Sequence, residues 1–255
     1  MSPKWTKPSS EGLNQQKNRV MKVVFRIGEN VQVFNLAKTS NKKIEENRKR
    51  KIVQTYTFSR KQFELIAEGK NKGMRIFFSN ADSNCLDCPF NEFGKCYTHK
   101  FNQYVGFIAM LKSIASEFNT FEQLPEFDRK AAADIVNMSR GKYVRFGTYG
   151  EPSLHPLQLI KSILKVCENH TGYTHQWAKK PELGEMFMAS THTFEEEKIA
   201  RENGFRSFIA TDKPIEGAVN CPASKESNYK SHCSKCGLCS GMDGKGKKSI
   251  YILLH

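Results

Sequence analysis

The sequence predicts an α/β fold, specifically a partial or irregular β/α barrel with a basic N-terminal extension and a Cys-rich, metal-binding C-terminal segment. Three observations support this prediction. Strand-like and helix-like segments alternate after residue 74, positive charge is concentrated before residue 70, and seven of the eight cysteines form two clusters. We expect the basic extension, which includes a β-hairpin, over residues 1–73. We expect the β/α domain over residues 74–255, with a Cys-rich metal site within residues 221–255.

The charge of the chain is strongly uneven. The formal net charge is +14, and residues 1–70 hold 16 Lys and Arg against 6 Asp and Glu, a net of +10. A positive field of that density attracts a polyanion, and nucleic acid is the usual one. Because the excess lies in one segment, nucleic acid is favoured over the alternative, a solvated basic tail without a specific partner.

The N-terminal third contains few regular patterns. Residues 1–20 are polar and predict a loose arm. Two apolar runs that flank Gly28-Glu29-Asn30 predict a β-hairpin. Residues 38–58 mix charges and are compatible with either a helix or a loop, and Ser59 is a candidate N-cap for a short helix that ends near Gly69.

After residue 74 the pattern alternates between strands and helices. The predicted strands are MRIFF, KYVRFGTY, TGYTHQW, EMFMAST, RSFIAT and KSIYILL. The predicted helices are QYVGFIAMLKSIASEF, EFDRKAAADIVNMSRG, HPLQLIKSILKVCENH and TFEEEKIARENG. Such alternation is typical of parallel β/α units, either in a partial barrel or in an open sheet, and both architectures gather functional groups where strands end.

Glu151 lies at such a strand end, in a sharp Gly-Glu-Pro corner. Gly150 allows the chain to turn, and Pro152 can begin the next segment with a fixed φ. The carboxylate could cap the helix that follows. Alternatively it could act as a nucleophile, as a general base or as the partner of an amino group on a ligand.

Three further strand ends carry polar side chains. In GYTHQW, strand alternation places Tyr173, His175 and Trp177 on one face, where they could stack on a base and bond its edge. The alternative is a Trp and a Tyr in the core with a satisfied His. His192 could simply neighbour the next helix, and Asp212 could start a turn.

Several function classes lose support. The sequence has no Walker A, GxGxxG or GxSxG motif, which argues against an ATPase, a Rossmann dehydrogenase and a serine hydrolase. No run of 18 apolar residues and no secretory signal is visible, so we expect a cytoplasmic protein with reduced thiols and no membrane partner.

The C-terminal cysteines give the stronger metal signal. Cys233, Cys236 and Cys239 are spaced by two residues, which lets their thiolates share one tetrahedral ion such as Zn²⁺. Cys221 and His255 are both candidates for the fourth ligand.

The first cysteine cluster has the spacing C-x2-C-x7-C and consists of Cys85, Cys88 and Cys96. Three thiolates leave a coordination position free, which suits a catalytic metal or a 4Fe–4S cluster with one open iron. With Cys221 or His99 as a fourth ligand, the same set would form a structural zinc site. The spacing does not separate zinc from iron, and the eighth cysteine, Cys167, is interpreted as a core thiol.

The set CLDCPFNEFGKCY, RFGTYGEP, GYTHQW, FMAST, NCPAS, CSKCGLC and IYILLH resembles a group of bacteriophage proteins that we associate with phage-type DNA transglycosylases. These enzymes exchange guanine for a 7-deazaguanine base and are distant relatives of the tRNA-guanine transglycosylases. The resemblance covers about residues 74–255.

This resemblance implies a β/α-barrel enzyme in which a carboxylate attacks C1′ of a deoxyguanosine and a free 7-deazapurine base such as preQ0 captures the intermediate. The outcome would be phage DNA in the host cytoplasm that resists restriction. The implied catalytic residues are Glu151, Asp212 and His175. The implied substrate-binding residues are Tyr149, Tyr173, Trp177 and His192. Cys233, Cys236, Cys239 and His255 could match the three cysteines and one histidine that hold zinc in the tRNA enzymes. Related sequences often have Asp where this chain has Glu151.

The segment GTYGEPSLHP is also similar to the GGEP segment of radical SAM enzymes, which holds the amino group of S-adenosylmethionine. This likeness implies that Cys85, Cys88 and Cys96 are the ligands of a 4Fe–4S cluster. The usual spacing in that family is C-x3-C-x2-C, and this chain departs from it. A third interpretation is a zinc-containing DNA-binding protein without catalytic activity.

Overall fold

The computed structural model describes residues 21–46, 49–242 and 246–253. They form a mixed α/β fold with two five-stranded sheets, and the described strands do not close into a barrel. The predicted arm at residues 1–20 and the candidate ligand His255 lie outside the described residues.

The first sheet combines a meander with parallel strands. Its strands, in spatial order, are β1 (Met21–Ile27), β2 (Asn30–Lys38), β3 (Lys51–Ser59), β4 (Tyr143–Tyr149) and β5 (Asn169–Thr171). The pairs β1–β2 and β2–β3 are antiparallel, whereas β3–β4 and β4–β5 are parallel. The hairpin expected around Gly28 is present, and Gly28 has a φ of 52°.

Strand β3 is the main element that the sequence pattern did not identify. Part of residues 38–58, for which helix and loop were both open, forms this strand in the middle of the first sheet. Eight of its nine residues are buried, because both faces of the strand are covered. It joins the N-terminal hairpin to β4, so elements on both sides of the predicted boundary at residue 73 share one sheet.

The second sheet is entirely parallel. Its strands, in spatial order, are β6 (Tyr173–Thr174), β7 (Met188–Thr191), β8 (Ser207–Thr211), β10 (Ile250–Leu253) and β9 (Val219–Asn220). Gly172 alone separates β5 from β6, so the two sheets meet there. A Cβ atom on Gly172 would lie 2.4 Å from Cδ1 of Phe187, so the close approach requires glycine.

The helices connect the strands and cover them. They are α1 (Arg60–Ala67), α2 (Met74–Phe78), α3 (Asp82–Cys85), α4 (Phe101–Ala115), α5 (Arg129–Ser139), α6 (Leu157–Leu164), α7 (Phe194–Glu202) and α8 (Cys233–Cys236). Short 3₁₀ helices lie at Phe121–Gln123, Pro152–Leu154 and Pro181–Leu183. The side chains of Ser59 and Thr193 cap α1 and α7, and Gly141 follows α5 with a φ of 62°.

Two strand predictions were wrong. MRIFF forms helix α2, because Phe77 and Phe78 pack together into an apolar cluster, and so short a run has no period that separates strand from helix. TGYTHQW does not form one strand. The chain turns after Thr174, which ends the alternation before His175 and Trp177.

The first sheet is packed on both faces. Val144 and Phe146 of β4 join a cluster with α5 and α6, and Phe58 and Tyr149 join a second cluster with α1, α2 and α4. The packing therefore fixes the end of β4, where the Gly-Glu-Pro corner begins.

Candidate functional site

A cavity of about 430 Å³ lies at the carboxyl ends of the parallel strands. The loop with Cys85, Cys88 and Cys96 forms part of its wall, and residues from β4, β6, β7, β8 and β10 form the rest. A volume of this size is typical of sites for small molecules and cofactors.

The corner after β4 is held by backbone contacts with the cysteine-containing segment. Gly150 has a φ of 77°, and a Cβ atom there would lie 2.7 Å from the carbonyl oxygen of Thr57. The backbone N–H of Glu151 donates to the Asn84 carbonyl at 2.8 Å, and Asn84 Nδ2 donates to the Thr57 carbonyl at 2.9 Å. Asn84 precedes Cys85, so these bonds place the first cysteine beside Glu151.

The Glu151 carboxylate is 3% exposed and is bound by three donors. Oε1 accepts from the Thr174 hydroxyl at 2.7 Å and from the Ser153 N–H at 3.2 Å. Oε2 accepts from the His175 N–H at 3.1 Å. The bond to Ser153 caps the 3₁₀ helix Pro152–Leu154, so Glu151 caps a helix and also lines the cavity.

The His175 ring lies between Glu151 and the first cysteine cluster. Its Nδ1 is 3.6 Å from Glu151 Oε2, and its Nε2 is 3.6 Å from Cys88 Sγ. Burial lowers the pKa of His175, but hydrogen bonds with Cys88 and Glu151 outweigh this effect and raise the pKa to about 9. The imidazole is therefore charged near neutral pH.

Aromatic rings pack behind His175. His192 stacks on it with the ring centroids 5.3 Å apart, and Phe90 meets His192 edge-on at 4.4 Å. Burial and the charge of His175 lower the pKa of His192. A charged ring and a neutral ring thus lie side by side in the cavity wall.

Two thiols of the first cluster, Cys85 and Cys96, lie in a desolvated environment. Burial raises the pKa of Cys85 far above its usual range, and the charges of Cys88, Cys96 and Glu151 raise it further. Burial also raises the pKa of Cys96, although a hydrogen bond with Thr98 opposes the effect. A bound cation would offset this repulsion and favour the thiolates.

Within the described ranges, no three or more His, Cys, Asp or Glu side chains are grouped so that they could hold a metal ion.

The cysteine-containing loop is also tied to the chain after β6. The Asp87 carboxylate accepts hydrogen bonds from Lys179 and from Gln176. These two bonds lower the pKa of Asp87 to about 2. Because Asp87 lies between Cys85 and Cys88, the contacts hold that part of the loop against the second sheet.

The structure brings most of the predicted site residues together. Glu151, His175, Tyr149, Tyr173, His192, Cys85, Cys88 and Cys96 all line the cavity. Trp177 instead packs against the core cluster that contains Val144, since the chain turns after Thr174. Asp212 is exposed and lies outside the cavity lining, where its carboxylate contacts the Thr211 hydroxyl at 3.4 Å.

Some lining residues were missed in the sequence. Phe208, Ala210 and Ile252 come from β8 and β10, and Arg145 comes from β4. Their strands were predicted, but which face of each strand lines a cavity depends on the tertiary packing. An arginine inside the otherwise uncharged YVRFGTY was the one available signal.

The C-terminal cysteines gather near the amino ends of the strands. Cys233 packs against Ile52 and Tyr143, which lie at the starts of β3 and β4. Burial raises the pKa of Cys233 to about 11, although the Arg145 charge opposes the shift.

Two further C-terminal thiols, Cys221 and Cys239, resemble Cys233 in this respect. Burial raises the pKa of Cys221 and of Cys239, and neighbouring thiols, Cys236 among them, raise each further. These four thiols are thus electrostatically coupled at the end of the strands opposite to Glu151.

None of the helices in the described ranges has the length and apolar character needed to cross a membrane. Comparison with known proteins found no matching family model, no matching curated protein and no matching solved structure.

Proposed function

We propose that this chain is a radical SAM-type iron–sulfur enzyme. The observation that supports this proposal is that the three thiols of the first cluster and the Gly-Glu-Pro carboxylate border one cavity at the carboxyl ends of parallel strands. On this proposal β3 to β8 and β10 form the wall of a partial β/α barrel, with the cofactor at its carboxyl end.

The chemistry of the three thiols in the first cluster suits an iron–sulfur cluster with one open iron. Cys85, Cys88 and Cys96 supply three sulfur donors and leave one position free. The spacing C-x2-C-x7-C differs from the usual one, but the loop between Cys88 and Cys96 folds back to the same cavity. When bound, a 4Fe–4S cluster with S-adenosylmethionine supplies one-electron chemistry.

Glu151 has the acceptor capacity to bind an amino group. A carboxylate offers about four lone-pair positions, and three of them are used by Ser153, Thr174 and His175. The remaining position on Oε2 faces the His175 ring, whose Nδ1 is 3.6 Å away, and a ligand ammonium would share it with that ring. The three donors hold the carboxylate in one orientation, so no side-chain rearrangement is needed before the ligand binds.

Metal analysis of protein purified without oxygen tests this proposal. The wild type should be brown, should absorb visible light and should hold about four irons and four sulfides per chain. The colour and the iron should be lost in each of the variants Cys85→Ala, Cys88→Ala and Cys96→Ala. Cys167→Ala should keep both, because Cys167 packs against the apolar cluster that contains Val144. Colourless protein with stoichiometric zinc at the first cluster would contradict the proposal.

We propose as a second candidate a DNA transglycosylase that exchanges guanine for a 7-deazaguanine base, such as preQ0, and protects phage DNA from host restriction. The favouring observation is a buried carboxylate in a cavity whose walls include Tyr173, His192 and Phe208, which could stack on a base. Zn²⁺ at the C-terminal cysteines would then be structural, and the basic segment would hold DNA phosphates.

Labelled guanine separates the second candidate from a zinc-containing DNA-binding protein. Wild type incubated with a guanine-containing duplex should incorporate the label, and Glu151→Gln should not. Tight DNA binding without incorporation would instead support the DNA-binding protein without catalytic activity.

A further inference from the structure

Arg145 is a half-buried cation in the wall of the cavity. On β4 it alternates with Val144 and Phe146, which pack into the apolar core on the other face of the sheet. The side chain of Arg145 therefore lies on the cavity face of β4, four residues before Tyr149 in the sequence.

No carboxylate pairs with Arg145 among the residues described. Its one hydrogen bond is a long one, 3.4 Å, from Nη2 to the Tyr97 hydroxyl. The titratable groups that raise the pKa of Arg145 are the phenols of Tyr97, Tyr143 and Tyr173 and the thiol of Cys233, none of which is ordinarily an anion at neutral pH. A guanidinium has five N–H donors, so most of its capacity is unused.

The other buried or half-buried arginines differ in this respect. Arg206 donates to the carbonyls of Gly241, Leu238 and Lys248. Arg60 pairs with carboxylates, including Glu64 at 2.6 Å. A cation taken out of water without such partners is costly, so the absence of a carboxylate or carbonyl partner for Arg145 among the described residues indicates a ligand.

We infer that Arg145 forms an oxyanion subsite, which binds a carboxylate or phosphate group of a small molecule held in the cavity. Arg145 is the only Lys or Arg among the described residues that line the cavity, and Glu151 is the only carboxylate there. The planar guanidinium fork matches either oxyanion through two parallel hydrogen bonds. Phe208, Ala210 and Ile252 complete an apolar wall for the body of the ligand.

The identification of this small molecule as the substrate rests on the function proposed above. The binding of an oxyanion by Arg145 is independent of that function. A competing role is to balance the charge of Cys233, whose pKa Arg145 lowers. The two roles make different predictions, since a counter-charge for Cys233 requires no oxyanion in the cavity.

Thermal unfolding of the full-length protein tests the inference. Melting temperature is measured against increasing sodium phosphate, and separately sodium acetate, at constant pH and ionic strength, because a ligand of the native state raises it. Arg140→Gln is the matched control, because it removes the same charge from an exposed position outside the cavity lining. Wild type and Arg140→Gln should show the same rise with at least one of the two anions, and the anion that gives it identifies the group bound.

Arg145→Gln should weaken the apparent affinity for that anion at least about tenfold, and Arg145→Lys should weaken it less. Circular dichroism in sodium chloride checks that Arg145→Gln is folded. If it is not folded, Arg145→Lys is used instead, and an affinity for the anion equal to that of the wild type would contradict the subsite. The inference is overturned if neither anion stabilises the wild type. It is also overturned if Arg145→Gln binds the anion with the same apparent affinity as Arg140→Gln. Loss of metal from the C-terminal cysteines of Arg145→Gln, with that affinity unchanged, would support the competing role at Cys233. Iron content is measured separately, so failure of the subsite and failure of the proposed function remain distinct.

Discussion

The ring of His175 connects Glu151 to Cys88, with each of its two nitrogens 3.6 Å from one of them. The Gly-Glu-Pro corner and the first cysteine cluster therefore form one electrostatic unit. Cys88 and Glu151 both raise the pKa of His175, so a change at either residue alters the charge of the ring between them. This coupling is the reason to test the corner and the cysteines together.

Glu151→Gln should reduce catalytic turnover at least about 100-fold, because the amide cannot supply the negative charge that a ligand ammonium or a developing cation requires. The measurement is S-adenosylmethionine cleavage by the iron-loaded protein, and base exchange for the second candidate. Asp128→Asn is the control, since Asp128 also caps a helix, with Oδ1 2.7 Å from the Ala131 N–H, but outside the cavity lining. Equal activity of Glu151→Gln and wild type would contradict a functional role.

Gly150→Ala should destabilise the protein by more than about 2 kcal/mol. The new Cβ would meet the Thr57 carbonyl oxygen at 2.7 Å in addition to the strain of a φ of 77°. Gly28→Ala is the matched control, because Gly28 has a φ of 52° but nothing within 4 Å of its Cβ position, so only about 1–2 kcal/mol of backbone strain is expected. Urea unfolding measures both, and equal losses would show that the contact with Thr57 carries no penalty.

Removal of metal from the C-terminal cysteines should lower the melting temperature of the wild type, because metal binding there would link α8 to the starts of the strands. Cys236→Ser should melt at that lower temperature with or without a chelator. Cys167→Ser should respond to the chelator as the wild type does. If the chelator leaves the wild-type melting temperature unchanged, these four thiols hold no stabilising metal.

His155→Gln should flatten the acid side of the stability profile. His155 is 3% exposed, and burial lowers its pKa from 6.5 to about 3. The unfolded chain therefore binds a proton below about pH 6.5 that the native state excludes until about pH 3, so this residue destabilises the fold progressively as the pH falls through that window.

Between pH 6.5 and pH 4 the wild type should lose about 3 kcal/mol more unfolding free energy than His155→Gln. Urea unfolding of both proteins at each pH gives this difference. If the stability of the two proteins changed with pH in the same way, the native state would have to accommodate a charged His155 ring. The ring has a hydrogen bond of 2.9 Å between its Nε2 and Thr55 Oγ1.

Local patterns identified much of the fold. Amphipathic periodicity and capping residues identified α4 to α7, and the apolar runs around Gly28 identified the hairpin. Strand β3 was not identified because basic residues precede it. Helix α2 was predicted as a strand because a run of five residues is too short to show a diagnostic period. Trp177 was misplaced for a related reason, since alternation holds only while the strand lasts.

The chemistry of the site was visible in the chain before any packing was known: three thiols with one coordination position to spare, and an acidic side chain on a glycine-dependent turn. Their mutual placement was not visible, because Cys88 and His175 are 87 residues apart and meet through strand pairing and loop contacts such as those of Asn84. The absence of a carboxylate partner for Arg145 in the part of the chain that the structure describes was likewise not visible. Residue identity and short-range spacing are local properties of the chain, whereas proximity, burial and the lack of a counter-ion arise from every element that packs around a side chain.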